Sequence, residues 1–152
     1  FYGAELIEVE EGDFDGAIAL RDKMCKDKGW FNCNQFHNPL NMEAHYIGTG
    51  PEIYNEYQQQ HGEGSRPDVF VAGTGTGGTL MGTDKFLKDE VRVVSTECAK
   101  KCVRHLAKKY GLFVGISAAA NVFSAFQWLR DNDKNNAVTI LCDRGERYFS
   151  CL

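Results

Sequence analysis

The sequence that decides the fold is Val69-Phe70-Val71-Ala72-Gly73-Thr74-Gly75-Thr76-Gly77-Gly78-Thr79. It begins with an unbroken apolar run, which is typical of a strand buried on both faces of a parallel sheet. The glycines that follow allow the backbone to turn sharply and to approach a ligand closely. A helix after them would direct its first N–H groups and the positive end of its dipole at an anion. The stretch therefore predicts a strand, a phosphate-binding loop and a helix.

Two kinds of phosphate ligand suit this loop. No lysine follows the glycines, so the loop is not a Walker P-loop. Gly73, Gly75 and Gly78 fit the GxGxxG pattern, and Glu97 follows about 20 residues later, where a dinucleotide-binding fold carries its ribose-binding acid. A single phosphate monoester, as in pyridoxal phosphate enzymes, fits the same loop. Spacing alone leaves an NAD-dependent dehydrogenase and a pyridoxal phosphate enzyme as alternatives.

The rest of the chain alternates short apolar runs with segments of helical periodicity. The predicted strands are 5–9, 30–34, 69–72, 91–94 and 137–141, and the predicted helices are 14–28, 43–46, 51–60, 80–88, 97–110 and 117–130. Such alternation predicts an α/β fold with a mainly parallel, twisted sheet flanked by helices.

Charge, hydropathy and cysteine spacing argue against several classes of function. The 152 residues carry a formal net charge of −4 without a basic stripe, so we expect no nucleic-acid partner. No apolar run approaches the roughly 20 residues that a membrane span requires. The 6 cysteines form no CxxC pair, so we expect reduced thiols and no metal site. These features predict a cytoplasmic protein, or an organellar one if a targeting peptide is missing before Phe1.

Several segments, in chain order, resemble the motifs of one enzyme family. They are 1–6 ("FGAEL" in the family), 12–17 ("KGMKGAI"), 34–41 ("QQFxNPANP"), 49–53 ("TGPEIW"), 71–79 ("VAGIGTGGT"), 115–117 ("GISSGA") and 145–148 ("GERY"). The chain resembles the cysteine synthases (O-acetylserine sulfhydrylases), which are fold type II, tryptophan synthase β-like pyridoxal phosphate enzymes. The resemblance implies β-replacement that makes L-cysteine from O-acetylserine and sulfide, with pyridoxal 5′-phosphate as cofactor.

The resemblance also implies roles for individual residues. Those implied to hold the cofactor phosphate are Gly75, Thr76, Gly77, Gly78 and Thr79. Ser117 is implied to hydrogen-bond the pyridine nitrogen, where a neutral hydroxyl leaves that nitrogen largely unprotonated; a helix N-cap is its alternative role. Gln35 and Phe36 are implied to border the amino-acid substrate, with loop packing as the alternative.

The chain departs from the family pattern in several respects, among them Ala118 to Asn121, where the family continues Ser-Gly-Ala. Cys142 and Arg144 occupy a segment that lies near the cofactor ring in relatives, and Cys142 is either a reactive thiol or a buried residue at a strand end. The family's Schiff-base lysine motif lies upstream of Phe1, so we expect no catalytic residue in this chain. A stretch that the family carries is missing near Asp89.

The same comparison predicts the domain organisation and the partners. Residues 1–36 are expected to end a smaller N-terminal domain, and residues 37–152 to form a larger, incomplete phosphate-binding domain with a gap near 88–91. A homodimer is expected, and serine acetyltransferase is a candidate partner. A truncated or non-catalytic subunit with a binding or assembly role is the alternative function.

Overall fold

A computed structural model of the chain describes residues 3–83 and 92–148. These residues divide into two compact units that part between Asn38 and Pro39. The first unit contains helix α1 (Phe14–Lys28) and otherwise lacks regular secondary structure over the residues described.

Helix α1 has the bounds that the sequence predicts. The Asp13 carboxylate accepts the backbone N–H of Gly16 at 2.8 Å, which satisfies one of the donors left unpaired at a helix start. The helix ends at Gly29, whose left-handed φ of 66° suits a residue without a Cβ.

The second unit opens with a nearly continuous helical run. Its parts are α2 (Pro39–Ala44), a π-helical turn (His45–Thr49) and α3 (Gly50–His61). The sequence predicts two separate helices preceded by a loop that reaches Asn41, and this prediction is wrong. Proline is well suited to the first helical position because its missing N–H has no partner there, so Pro39 begins the run.

Two strands of the second unit pair in parallel. They are β1 (Val69–Val71) and β2 (Ala137–Thr139), with Val69 opposite Ala137. The Thr139 hydroxyl also donates to the Val71 carbonyl at 2.7 Å. Because the strands are parallel, their carboxyl ends lie at one edge of the sheet. The glycine loop leaves β1 at that edge, and residues 140–143 leave β2 there.

Three helices complete the second unit. They are α4 (Gly78–Thr83), α5 (Thr96–Tyr110) and α6 (Ile116–Asp131), and a 3₁₀ turn follows at Gly145–Tyr148. Helix α6 packs on the sheet, α5 packs on α6, and α4 packs on the α2–π run. Helices α5 and α6 pack together through Val103, Leu106, Val114, Ala118 and Ala119. Burying a valine or a leucine fully contributes about 1.5–3 kcal/mol. Over residues 3–83 and 92–148, every helix is too short or too polar to cross a bilayer.

Three predicted strands are not strands in the structure. Residues 5–9, 30–34 and 92–94 lack strand structure, while Val91 lies outside the described residues. A short apolar run becomes a strand only when a partner is available for its backbone N–H and C=O groups, and local sequence does not identify that partner. Helix α4 reaches Thr83, and positions 84–88 of the predicted helix also lie outside the described residues.

Helix α4 approaches the α2–π run closely at Gly82. A Cβ on Gly82 would lie 2.5 Å from the Met42 carbonyl oxygen and 2.5 Å from the His45 Cβ. Both distances are too short for a real Cβ, so glycine sets how near the two helical segments come. Gly48 is different, since a Cβ there meets only the Glu52 carboxylate, at 3.8 Å.

We expect Gly82→Ala to lower the free energy of unfolding by about 2 kcal/mol. Overpacking costs about 1–3 kcal/mol, and the higher helix propensity of alanine returns at most about 1 kcal/mol of it. Urea unfolding measures the change. The control Gly48→Ala adds the same methyl group in ordinary contact and should leave stability unchanged or slightly higher. Equal stability of the two variants would show that α4 does not press on the α2–π run at Gly82.

Candidate functional site

The site lies at the sheet edge where both strands end. The buried Asn121 of α6 donates its side-chain amide to the Ile140 carbonyl at 3.0 Å. Its Oδ1 would be 3.3 Å from a Cβ on Gly73. Asn121 therefore binds the chain leaving β2 and lies beside the start of the glycine loop, and it brings the first turns of α6 to the same edge.

The glycine loop leaves its backbone open on one side and packs tightly on the other. A Cβ on Gly75 would meet no heavy atom within 4 Å, so a ligand can approach the backbone there. Gly77 has a φ of +80°, which favours glycine. A Cβ on Gly78 would lie 2.5 Å from the Asn41 Oδ1. Gly75 thus leaves room for a ligand, Gly77 allows the left-handed backbone conformation, and Gly78 allows close packing against Asn41.

Two threonine hydroxyls of the loop are held by side chains from the α2–π run. Thr76 Oγ1 accepts the Asn41 Nδ2 amide at 2.8 Å and the Gly78 N–H at 3.3 Å. Thr79 Oγ1 lies 3.1 Å from the Nε2 of His45. Sequence reasoning missed both Asn41 and His45 because it placed Asn41 in a loop. Their spacing of one helical turn would have suggested a shared face had the continuous run been recognised.

This arrangement fits a phosphate group. Phosphate oxygens only accept hydrogen bonds, so their site must present donors. The accessible loop backbone offers N–H groups, and the Thr76 hydroxyl, whose oxygen accepts from Asn41 and Gly78, keeps its proton to donate. The direction of the hydrogen bond between Thr79 and His45 depends on the histidine tautomer. The five residues implied to hold the cofactor phosphate are contiguous in the chain and lie at this edge of the sheet.

Ser117 lies exposed in the first turn of α6, and its hydroxyl is engaged by Asp143. Ser117 Oγ donates to Asp143 Oδ2 at 2.8 Å, and the Ala118 N–H donates to Asp143 Oδ1 at 3.1 Å. The N-cap position of α6 is Gly115, which has no side chain to cap the helix. Asp143 therefore caps α6 from outside the helix, and the alternative that Ser117 is the N-cap is wrong.

The Asp143 carboxylate is stabilised in its ionised form. Burial raises the pKa of Asp143, but hydrogen bonds from Tyr148 Oη at 2.6 Å, from Ser117 and from the Ala118 N–H outweigh burial and lower the pKa overall. The hydrogen bond to Asp143 in turn raises the pKa of Tyr148. Sequence reasoning missed Asp143, because the residue lies 26 positions from Ser117.

The neighbours of Asp143 also differ from expectation. Cys142 is exposed rather than buried at a strand end, and its Sγ lies 3.6 Å from Ser117 Oγ. Arg144 is exposed too and pairs with the Glu146 carboxylate at 3.2 Å.

The two residues implied to border the substrate belong to the first unit. Gln35 and Phe36 are exposed in a turn whose backbone is fixed by the Asn34 carbonyl, which accepts the N–H groups of His37 and Asn38 at 2.9 Å each. The phosphate-loop residues and Ser117 belong to the second unit.

Glu97, the candidate ribose-binding acid of the dinucleotide alternative, lies in the exposed first turn of α5 and pairs with Lys101 at 2.7 Å. On the same helix, burial raises the pKa of the Cys102 thiol, which disfavours the reactive thiolate. Among the residues described, no cluster of three or more His, Cys, Asp or Glu could hold a metal ion.

Parallel strands with a glycine loop at their carboxyl edge are typical of ligand-binding α/β proteins. Residues 1–94 match the family of pyridoxal-phosphate dependent enzymes, and the chain belongs to this family. Its fold is that of the fold type II members. The assignment favours the pyridoxal phosphate alternative over the dinucleotide one.

Individual relatives agree with the family. The chain is 30% identical to a cysteine synthase of Staphylococcus aureus, over 98% of this chain and 62% of that protein. It is 33% identical to a cysteine synthase B of Pseudomonas aeruginosa, over 98% of this chain and 61% of that protein. A solved hydrogen sulfide-producing enzyme of Fusobacterium nucleatum matches with a TM-score of 0.84 and 30% identity, over 98% of this chain and 59% of that one.

The chain spans about 62% of the length of the Staphylococcus aureus protein. That alignment has 197 positions and the chain has 152 residues, so at least 45 aligned positions have no residue in this chain. The internal gap that the sequence predicts near Asp89 stays a prediction, because residues 84–91 lie outside the described ones.

We expect Asp143→Asn to lower the free energy of unfolding by about 1–2 kcal/mol at neutral pH, because charge-assisted hydrogen bonds become neutral ones. The folded-state pKa lies below the ordinary 3.8, so the contribution of Asp143 is complete above that pH and is lost as pH falls through the lowered pKa. Urea unfolding between about pH 6 and pH 2 should show this part of the acid destabilisation in the native chain but not in the variant.

Asp133→Asn provides the control. Asp133 is exposed, and its φ of 51° suits asparagine equally well. Equal losses of stability in the two variants would mean that the Asp143 carboxylate does not anchor the start of α6.

Proposed function

We propose that this chain supplies the cofactor-phosphate part of a cysteine synthase-type site. In this proposal Gly75, Thr76, Gly77, Gly78 and Thr79 bind the phosphate of pyridoxal 5′-phosphate. The observation that carries the proposal is the pair of threonine hydroxyls, fixed from the α2–π run beside an open loop backbone. Family membership and the cysteine synthase relatives support it.

The reaction that we propose is the synthesis of L-cysteine from O-acetylserine and sulfide. The cofactor, when bound, supplies the electron sink for eliminating acetate and adding sulfide. The residues of this chain would bind and orient it. The glycine loop would fix the phosphate, and Gln35 and Phe36 would border the amino-acid substrate. A homodimer and an association with serine acetyltransferase belong to the same proposal.

Ser117 would face the pyridine end of the cofactor. The proton of the Ser117 hydroxyl is already donated to Asp143. The family resemblance implies a hydroxyl that leaves the ring nitrogen largely unprotonated. Since Ser117 Oγ donates to Asp143 Oδ2, the oxygen has only acceptor capacity left to offer. Ser117 Oγ would therefore accept a hydrogen bond from a ring nitrogen that carries a proton. Asp143 sets this preference, because it accepts the Ser117 proton.

A second candidate is a subunit that binds the cofactor without making cysteine. Two observations favour it: at least 45 of the 197 positions aligned with the Staphylococcus aureus relative have no residue in this 152-residue chain, and the Ser117 proton is committed to Asp143. Both candidates use the same phosphate loop, so only an activity measurement separates them.

The test begins with titration of the chain by pyridoxal 5′-phosphate, followed by tryptophan fluorescence. We expect saturable binding that Gly78→Ala weakens by about tenfold, because the added Cβ pushes against Asn41 and distorts the loop. The control Gly48→Ala should bind like the native chain.

The same samples are then supplied with O-acetylserine and sulfide, and cysteine is measured. Binding with cysteine formation supports the synthase, whereas binding without it, in the protein that also carries the family's Schiff-base lysine segment, supports the non-catalytic subunit. Absence of binding, or equal binding by Gly78→Ala and the native chain, would overturn both candidates.

A further inference from the structure

Helix α5 concentrates positive charge in a chain that is acidic as a whole. The helix holds 5 of the 17 basic residues and 1 of the 21 acidic ones, whereas the whole chain has a net charge of −4. Lys100, Arg104 and Lys108 recur at every fourth position, so they form one row along the helix surface, the basic row. The sequence shows two separate lysine pairs, at 100–101 and 108–109, and the helical geometry joins them through Arg104.

An apolar groove lies between α5 and α6. This α5–α6 groove has a volume of about 520 Å³, and its lining includes Cys98, Lys101, Cys102, Tyr110, Phe123 and Phe126. The side chains at its opening are unusually accessible for aromatic residues, since Tyr110 is 53% exposed and Phe126 is 63% exposed. Removing apolar surface from water is the main favourable contribution to most protein association, so a partner that covers these rings gains stability.

The groove and the basic row meet at Lys101. Lys101 lines the groove and pairs with Glu97 at 2.7 Å. Both side chains of this ion pair are mostly exposed, and exposed pairs contribute little to stability, so a carboxylate of a partner can replace Glu97. Lys100 and Lys108 form no ion pair with the described part of the chain. The three lysines are therefore available to acidic groups of a partner.

These features select a partner that carries both apolar and acidic groups. No acidic side chain lines the groove over residues 3–83 and 92–148. An amphipathic helix fills a groove with apolar side chains at positions i, i+3, i+4 and i+7, and its flanking positions remain for charged groups. Lys100 and Lys108 are separated by about 12 Å along α5, so a little more than two turns of a partner helix reach both. A flat lipid surface would not enter the groove, and a nucleic acid would leave its apolar floor uncovered.

We propose that the α5–α6 groove and the basic row form a docking surface for an acidic, amphipathic helix of a partner protein. Apolar side chains of the partner helix would cover Tyr110 and Phe126, and its carboxylates would pair with Lys100, Lys101 and Lys108. The surface shares no residue with the proposed site for pyridoxal 5′-phosphate, so the inference stands or fails independently of the cofactor.

Three designed peptides test this surface in the full chain. The first is an amphipathic helix with leucine at positions i, i+3, i+4 and i+7 and glutamate at the flanking positions. The second has lysine in place of each glutamate, and the third has serine in place of each leucine. Fluorescence anisotropy of a dye on each peptide measures binding.

A pair of charge reversals tests the basic row. Lys100→Glu/Lys108→Glu reverses two of its charges, and the matched control Lys23→Glu/Lys26→Glu reverses two exposed charges of α1. We expect only the first peptide to bind the native chain saturably. The variant in the basic row should weaken that peptide by about tenfold, and the control should stay within about twofold of the native chain.

A pair of truncations tests the groove. Phe126→Ala removes an aromatic ring from it, and the control Phe31→Ala removes a ring that is 84% exposed in the first unit. Phe126→Ala should weaken the first peptide by about tenfold, because buried aromatic side chains carry much of the binding energy of an interface. Phe31→Ala should bind like the native chain. Urea unfolding verifies that every variant is folded.

Salt separates the two contributions. Raising the ionic strength from about 0.1 M to 1 M shortens the Debye length from about 10 Å to 3 Å. The native chain should then bind the first peptide more weakly, and most of its advantage over Lys100→Glu/Lys108→Glu should disappear. The effect of Phe126→Ala should persist, because apolar burial is not screened by salt.

Several results would overturn the inference. They are absence of saturable binding by the first peptide, equal binding of the first and second peptides, native affinity in Phe126→Ala, and equal losses in a variant and its control. Two further results would assign the surface to another occupant and would overturn the inference as well. One is dimerisation of the native chain in analytical ultracentrifugation that Phe126→Ala abolishes. The other is binding to phosphatidylserine vesicles by a chain that binds none of the peptides.

Discussion

The parallel pairing of β1 with β2 is the constraint on which the site depends. Parallel strands end at the same edge of a sheet, so the glycine loop and the segment that carries Asp143 leave the sheet side by side. The buried Asn121 hydrogen-bonds to the chain leaving β2 and lies beside Gly73, where the glycine loop begins. Without this pairing, residues separated by about half of the chain would have no reason to meet.

The direction of the hydrogen bonds made by the hydroxyl groups is the second feature that determines the chemistry of the site. At the phosphate loop, Asn41 and His45 contact hydroxyls whose protons a phosphate would need. At the start of α6, Asp143 takes the proton of Ser117. A hydroxyl has a single proton, so each neighbour decides whether the group donates or accepts. The chemistry proposed for the site follows from these neighbours as much as from the threonines and the serine.

The sequence predicted those elements whose signals are local. Helix α1 has the predicted bounds because Asp13 and Gly29 cap it through residues adjacent in the chain. The sequence likewise predicted strand β1 and the glycine loop that follows it. Segments 5–9, 30–34 and 92–94 were wrongly predicted as strands, because a strand needs a partner that only the assembled fold provides. At the site, the loop residues were predicted, whereas Asn41, His45 and Asp143 were missed.

By itself, the sequence determined the glycine loop, the order of strand, loop and helix, and the resemblance to pyridoxal phosphate enzymes, which the family match confirms. These properties depend on residues that are neighbours along the chain. The tertiary structure decided which side chains support the loop and which group holds the Ser117 proton. Asp143 lies 26 positions from Ser117, and His45 lies 34 positions from Thr79. Contacts at such separations arise from helix packing and strand pairing, and no local pattern encodes them.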